Sequence, residues 1–399
     1  MHVFLVTAQP GAHPRRVARL LLDAGHRVTL VGAYDPKPGV SERYHYCPFP
    51  TEVPGLARLR RLGVGNALEP WIRAAQLRAL CVRHRPDVIN VQWVDRNAWL
   101  CALARVRPLV LSCWGSDIND LFTPGRVTPQ RRAQVAQALA AADHVTADAT
   151  DLLERCRQLA GRELATTLWH FGVDFSLFRP GYAAQARVLR ERLHIPDDAR
   201  VLLSVRRQAP FLGQTHIVAA LAQLTRDPAV PKTVLILRDY HSHPETEQEV
   251  REQITALGVE EAVRWVGDAP QSELPAQYAL ADVVVNYPER DAFPVSLFEA
   301  AACQRPIVTS ALPAYAGVFG DTLVNVPPGD PSALAAALKA CLLEAPAAAR
   351  PRLEGAYTIA QQLGDQDANL KRVTDMFASL RRRRFAAFPA RRSAPARGA

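Results

Sequence analysis

Short apolar runs recur between longer stretches with helical spacing, and this alternation restricts the fold more than any other feature of the chain. Residues 3–7, 28–31, 88–91, 109–112, 201–205, 234–237 and 307–309 are runs of three to five residues, mostly Val, Leu and Ile. A further run, Asp282-Val-Val-Val-Asn286, has the same character. Such runs read as strands covered on both faces, as in a parallel sheet. Strands alternating with helices predict βαβ units throughout, hence an α/β fold. At 399 residues the chain is long enough for two domains, each burying its own core. Hydrophobic content of 48% and charged content of 22% are ordinary for a soluble protein. The stretch Arg179-Pro180-Gly181 is the expected boundary. Beyond two halves of one architecture, no internal repeat stands out.

The seven cysteines are scattered and contain no Cys-x-x-Cys pair, which argues against a metal or disulfide framework and for a reducing compartment. The opening Met1-His-Val-Phe-Leu-Val-Thr-Ala8 is too short for a secretory apolar region and reads as the first strand. No apolar stretch is long enough to span a bilayer. The expectation is a cytoplasmic protein, at most peripheral on the inner face of a membrane.

The net charge of +9 is unevenly placed. Arg381 to Arg384, Arg391, Arg392 and Arg397 lie in a tail without an acidic residue, interleaved with Phe385 and Phe388. Pressed on an anionic membrane surface, such a tail gains about 1 kcal/mol per basic residue. A solvated, disordered tail is the preferred alternative. A second basic stretch holds Arg58, Arg60, Arg61, Arg73, Arg78, Arg83 and Arg85 among leucines and Trp71. No nucleic-acid motif accompanies these charges, so nucleic acid is not an expected partner.

Two carboxylates, Asp291 and Glu299, stand eight residues apart. The first falls in a loop just past the run 282–286, where open α/β sheets bind ligands. The second falls a turn or two into an alanine-rich helix and points back to the same crevice. An ionised carboxylate is an acceptor that grips hydroxyls, so the pair suits a polyol ligand. A helix cap and a solvated Glu are the alternative, and spacing by itself leaves the two readings even. His241 and His243 near Asp239 suggest metal ligands less well than ordinary surface polarity.

The surrounding sequence resembles glycosyltransferase family 4, whose Glu-x7-Glu motif ends in Glu-Ala-Met-Ala-Cys-Gly-x-Pro. Here the corresponding stretch is Asp291-x7-Glu299-Ala-Ala-Ala-Cys303-Gln304-Arg-Pro306. The resemblance extends through Leu22-Asp-Ala-Gly25-His26-Arg-Val28, Pro86-Asp87-Val-Ile, Trp114-Gly-Ser-Asp117 and Phe171-Gly-Val-Asp174-Phe-Ser-Leu-Phe178-Arg-Pro180. It continues through Trp265-Val-Gly267, Glu273-Leu-Pro-Ala-Gln-Tyr278 and Val326-Pro-Pro-Gly-Asp330. It implies the GT-B fold, in which two Rossmann-like βαβ domains face each other across a cleft and a C-terminal helix crosses back to the first domain. The implied division is 1–180 for acceptor binding, 181–350 for donor binding, 351–380 for the returning helix near Gln361 to Leu380, and 381–399 for the basic, disordered tail.

The implied activity is retaining transfer of a sugar from a nucleotide-diphosphate sugar to the hydroxyl of a sugar or lipid-linked acceptor. It uses the nucleotide-sugar as co-substrate and no metal or other cofactor. Such a donor needs its pyrophosphate neutralised by arginine, lysine and helix N-termini. The family's Gly-Arg-x4-Lys-Gly loop corresponds to Ser204-Val-Arg206-Arg207-Gln-Ala-Pro210-Phe-Leu212-Gly213, with either arginine in the catalytic position and Leu212 where the lysine stands. By the same resemblance Glu299 holds the ribose and Asp291 the sugar, while Phe293, Pro294, Val295, Ser296 and Gly267 line the donor site. Gly11, Ala12 and His13 correspond to the loop after the first strand, and Trp114 and Asp117 to the acceptor side. Asp117 reads equally as a substrate ligand and as a cap for the next helix. His170 at the junction reads as structural. Ala12, Leu212, Asp291 and Gln304 depart from the family pattern and keep open a non-catalytic scaffold, beside the alternative of a nucleotide-sugar epimerase.

Overall fold

The computed structural model describes residues 1–8, 12–32, 45–48 and 65–386; the side chains of 12, 13, 48, 65, 66 and 384–386 lie outside that description. Every apolar run becomes a strand, and all named strands pair in parallel. The first unit comprises Met1–Trp169 and Leu370–Ala399. Its strands are β1 (His2–Thr7), β2 (Arg27–Gly32), β3 (His45–Pro48), β4 (Val88–Gln92), β5 (Leu109–Cys113), β6 (His144–Ala147) and β7 (Thr166–Leu168). They form one sheet in the order β3-β2-β1-β4-β5-β6-β7. The second unit, His170–Asn369, holds β8 (Arg200–Ser204), β9 (Thr233–Arg238), β10 (Val263–Val266), β11 (Val283–Asn286), β12 (Ile307–Ser310) and β13 (Val324–Val326), ordered β10-β9-β8-β11-β12-β13.

Both sheets have a topological switch point. β1 lies between β2 and β4, and β8 between β9 and β11, so connections leave in opposite directions and a crevice opens at the carboxyl ends. Central strands are buried on both faces, which is why they read as mostly apolar runs. In the second unit Leu202, Leu235, Leu237, Val283, Val285 and Val308 pack with Ile217, Val218 and Leu221 of helix Gln214–Arg226 and Leu334 and Leu338 of helix Pro331–Leu343. The latter helix starts where Asp330 caps the Ser332 and Ala333 amides at 3.0 and 2.9 Å.

The structure revises three expected boundaries. The division falls between Trp169 and His170 rather than at Arg179-Pro180-Gly181. The intervening segment already packs within the second unit: Val173 donates to the Gly364 carbonyl at 2.7 Å, and the Phe178 ring meets Tyr278. The expected helix over 351–380 is two helices, Pro346–Gly364 and Gln366–Ala386, broken at Asp365. The break is where the chain bridges to Val173 and where Gly364 leaves room for the Phe298 ring, which would lie 2.6 Å from an added Cβ. The last helix begins in the second unit and ends in the first. It also runs to Ala386, into the segment expected to be disordered, and Arg381 ion-pairs with Asp87 at 3.0 Å. Residues 387–399 lie outside the described residues, as do Arg58, Arg60 and Arg61.

Candidate active site

The carboxyl ends of β8 and β11 carry the two loops that matter most, 205–213 and 287–294. Glycine pins them together. Gly213 has φ of +74°, and a Cβ there would lie 1.8 Å from the Tyr287 carbonyl oxygen. The Glu289 amide donates to the Phe211 carbonyl at 2.8 Å. Phe211 itself sits in the left-handed region at φ +63°, with the Arg290 guanidinium 3.7 Å from its ring centroid.

Arg206 and Asp291 meet between these loops. Arg206 Nη1 donates to Asp291 Oδ2 at 2.6 Å and to Asn286 Oδ1 at 3.2 Å. Tyr315, from helix Pro313–Phe319, donates its hydroxyl to the same Asp291 oxygen at 2.8 Å, and the Ala292 amide donates to Oδ1 at 3.0 Å. Asn286 also donates to the Tyr315 and Thr309 hydroxyls, which closes a ring of polar contacts. Burial is the largest influence on Arg206 and opposes its charge, but Asp291, Tyr315 and Tyr240 together outweigh it and hold the guanidinium pKa above its usual range. Burial, then the same carboxylate, raises the Tyr315 hydroxyl well above the ordinary tyrosine value. Arg207, the other candidate, is exposed and donates to the His241 carbonyl at 3.0 Å. Of the two arginines the sequence left open, Arg206 is therefore the one turned to the acidic residue.

Glu299 lies in the second turn of helix Val295–Ala302 and is 9% exposed. Its Oε2 accepts from the Tyr278 hydroxyl at 2.7 Å. Phe293 is buried among Phe298, Tyr315 and Phe319, so its ring belongs to the core. Pro294, Val295 and Ser296 are half-buried at the start of the helix, and the Ser296 hydroxyl has no partner among the described residues. Gly267 follows β10, where an added Cβ would meet nothing closer than the Asp239 carbonyl at 3.9 Å. Leu212 is half-buried in the loop that holds Arg206. His170 packs on Phe293 and Phe298, in keeping with a structural role.

In the first unit the carboxyl end of β5 leads into Trp114 and Gly115, whose φ of +124° and ψ of −92° suit only glycine. Asp117 is 1% exposed and accepts from the Val94 amide at 2.9 Å and the Trp114 amide at 3.1 Å. It braces the loop after β4 to the loop after β5. Burial lifts its pKa to about 6, against the amides that stabilise the anion. Trp114 is also buried, donating to Gln92 Oε1 at 3.0 Å and packing on Trp169. Ala12 and His13 open the helix Ala12–Asp23, and Gly11 lies outside the described residues. Among the described residues no group of three or more His, Cys, Asp and Glu side chains is placed to hold a metal. Asn286, Tyr278 and Tyr315 went unrecognised in the sequence, because nothing local distinguishes them from core residues.

Two parallel α/β sheets of seven and six strands with covering helices define the class: a two-domain GT-B architecture. Solved structures bear this out for the fold. Anabaena HepE in complex with UDP superposes with a TM-score of 0.77 at 20% identity, covering 95% of this chain and 100% of that one. Sucrose-phosphate synthase from Thermosynechococcus elongatus gives 0.75 at 20% identity over 97% and 100%. Residues 185–355 match the family described as Glycosyl transferases group 1, and residues 10–168 match the Glycosyl transferase 4-like domain. D-inositol 3-phosphate glycosyltransferase 1 of Catenulispora acidiphila is 31% identical over 299 residues, 71% of this chain and 70% of that protein. The Corynebacterium efficiens protein of similar name is 26% identical, and the alignment covers only 52% of its length. The chain belongs to the group 1, family 4-like glycosyltransferases.

Proposed function

We propose that the chain is a retaining hexosyltransferase that moves a sugar from a nucleotide-diphosphate sugar to an acceptor hydroxyl, without a metal, in polysaccharide, glycolipid or other glycoconjugate synthesis. The observation that carries this reading is the Arg206–Asp291 pair at the switch point of the second sheet, with Glu299 in the helix that follows the Asp291 loop. Structural neighbours bound to UDP and to UDP-glucose support a nucleotide-sugar donor. In this reading the second unit holds the donor and the first the acceptor. The donor pyrophosphate takes Arg206 from Asp291 and adds Arg207 and the amides at the start of helix Val295–Ala302, which offset the charge growing on the leaving phosphate. Asp291, released from the arginine, accepts from sugar hydroxyls, and Glu299 accepts from the ribose. No side chain serves as nucleophile; the leaving phosphate takes the acceptor proton, and the protein's part is positioning and charge stabilisation.

The acceptor is a sugar or a lipid-linked sugar, and the site of action is the cytoplasmic face of a membrane. Support for an anionic membrane surface comes from helix Gly65–His84, where Leu68, Trp71 and Val82 are 43%, 62% and 68% exposed near Arg78 and Arg83. Among the described residues no single helix is long and apolar enough to cross a membrane. Thermal stabilisation by a panel of UDP-, GDP- and ADP-sugars tests the donor site, with Glu299→Ala and Arg206→Ala as controls. One donor is expected to stabilise the wild type saturably and neither variant. Donor epimerised without acceptor, or no stabilisation of a folded protein by any donor, overturns the proposal.

A further inference from the structure

One buried charge beside this site is poorly satisfied by the protein. Arg238, the last residue of β9, is 4% exposed. Its Nη2 lies 3.4 Å from the Gly267 carbonyl and 3.8 Å from Asp268, whose own side chain is 72% exposed. Its Nε–H has no acceptor among the described residues. Enclosing a guanidinium with such weak partners is costly, so its retention calls for a reason outside the fold. The neighbouring side chain has the complementary defect. Gln208 is fully buried and its Nε2 donates to the Arg238 carbonyl at 2.8 Å, yet its Oε1 has no donor. An unfilled donor and an unfilled acceptor thus sit on two residues in contact.

Their place in the sheet suggests what fills them. β9 is the next strand out from β8, so Arg238 stands one strand from the loop that carries Arg206. Tyr240 links the two: the Arg238 guanidinium lies 4.5 Å from its ring centroid, and its hydroxyl is 3.5 Å from the Val205 carbonyl. A nucleotide with its phosphates at the switch point, lying along the carboxyl ends of β8, β9 and β10, brings its base to Arg238, Gln208 and Gly267.

We infer that Arg238 and Gln208 read the base of the nucleotide donor and select one with a carbonyl oxygen beside a ring N–H. This deepens the donor-site reading above and rests on it. Uracil (O4 beside N3–H) and guanine (O6 beside N1–H) accept from the guanidinium and donate to the amide oxygen. Adenine and cytosine present an amino group beside a bare ring nitrogen, so donor meets donor and acceptor meets acceptor. Both unfilled atoms are closed to solvent in this state. The Tyr240 ring that covers the guanidinium swings aside as the base enters.

Calorimetric titration of UDP, GDP, ADP and CDP into wild type, Arg238→Met and Arg238→Lys tests the assignment. The wild type is expected to bind UDP or GDP at least about tenfold more tightly than ADP and CDP, because a mismatched base leaves both buried groups unpaired. Arg238→Met keeps an apolar stem of similar length and is expected to remain folded, with the four affinities converging to within about threefold. Arg238→Lys, a charge without the planar fork, is expected to fall between them. A preference unchanged in Arg238→Met, or an equal loss for all four nucleotides, overturns the base assignment and leaves the donor site standing. A folded wild type that binds none of the four sinks both.

Discussion

Asp291→Ala removes at one stroke the shared acceptor of Arg206, Tyr315 and the Ala292 amide. The two side chains of the ion pair are 19% and 18% exposed. Solvent therefore screens the pair only in part, and the roughly 3–5 kcal/mol lost on breaking a fully buried pair is an upper bound. Asn286 softens the loss, since it takes a second bond from Arg206 at 3.2 Å and donates to Tyr315 at 3.2 Å. The expected cost is about 2–3 kcal/mol. For a unit running from His170 to Asn369 this lowers Tm by roughly 4–12 °C. The assay is a double-mutant cycle by scanning calorimetry, with Asp291→Ala, Arg206→Met and the double variant. Because each single change strands the other partner, the double variant should lose less than the sum, with a coupling of about 1.5 kcal/mol or more. Additive losses, or an Asp291→Ala protein melting within about 1 °C of wild type, would refute the pair as the organising contact of the two loops.

Two further expectations concern backbone and protons. Gly213 and Gly258 have similar φ, +74° and +65°, but an added Cβ at Gly213 lies 1.8 Å from the Tyr287 oxygen while Gly258 has nothing within 4 Å. Urea midpoints should show Gly258→Ala costing about 1 kcal/mol and Gly213→Ala at least about 3 kcal/mol, since only the latter must push two loops apart; equal costs would contradict the packing. The second expectation sets Asp117 against His2 across the acid range. Burial raises Asp117 to about 6, so the native state holds its proton more tightly than the unfolded chain, and this site loses stability as pH rises from about 4 to 6. Burial, then Arg27, lowers His2 to about 4, so its contribution is present above about pH 6.5 and is lost as pH falls to about 4. The two slopes oppose each other in the wild type. Relative to wild type, Asp117→Asn should therefore weaken more steeply on acidification and His2→Gln less steeply; urea midpoints from pH 4 to 6.5 that stay parallel to wild type would contradict both assignments.

The sequence was most legible where structure follows from a few adjacent residues. Strands β1, β2, β4, β5, β8, β9, β11 and β12 announced themselves because a strand covered on both faces is apolar at most of its positions. The outlying β3, β7, β10 and β13 did not, being three or four residues long and only partly apolar; buried β6, His-Val-Thr-Ala, escaped for its polar residues. The carboxylate pair was legible for a similar reason: a loop residue after a strand and a residue in the next helix are placed by local spacing alone, and Asp291 and Glu299 do fall in the loop after β11 and in the helix that follows it.

Contacts between segments distant in sequence were beyond its reach. Arg206 and Arg207 are adjacent and chemically identical; only the fold of the loop, with Gly213 against Tyr287, turns the first to Asp291 and the second to the His241 carbonyl. Tyr315 reaches Asp291 from across 24 residues, and Arg206 from across 85. Asp117 accepts from the Val94 amide, 23 residues upstream, a partner that no local pattern announced. Alone, then, the chain determined its layers and its family, because periodicity and short motifs are local properties. Tertiary structure decided which charges neutralise one another, because a charge takes as its partner whatever the packed chain brings within reach.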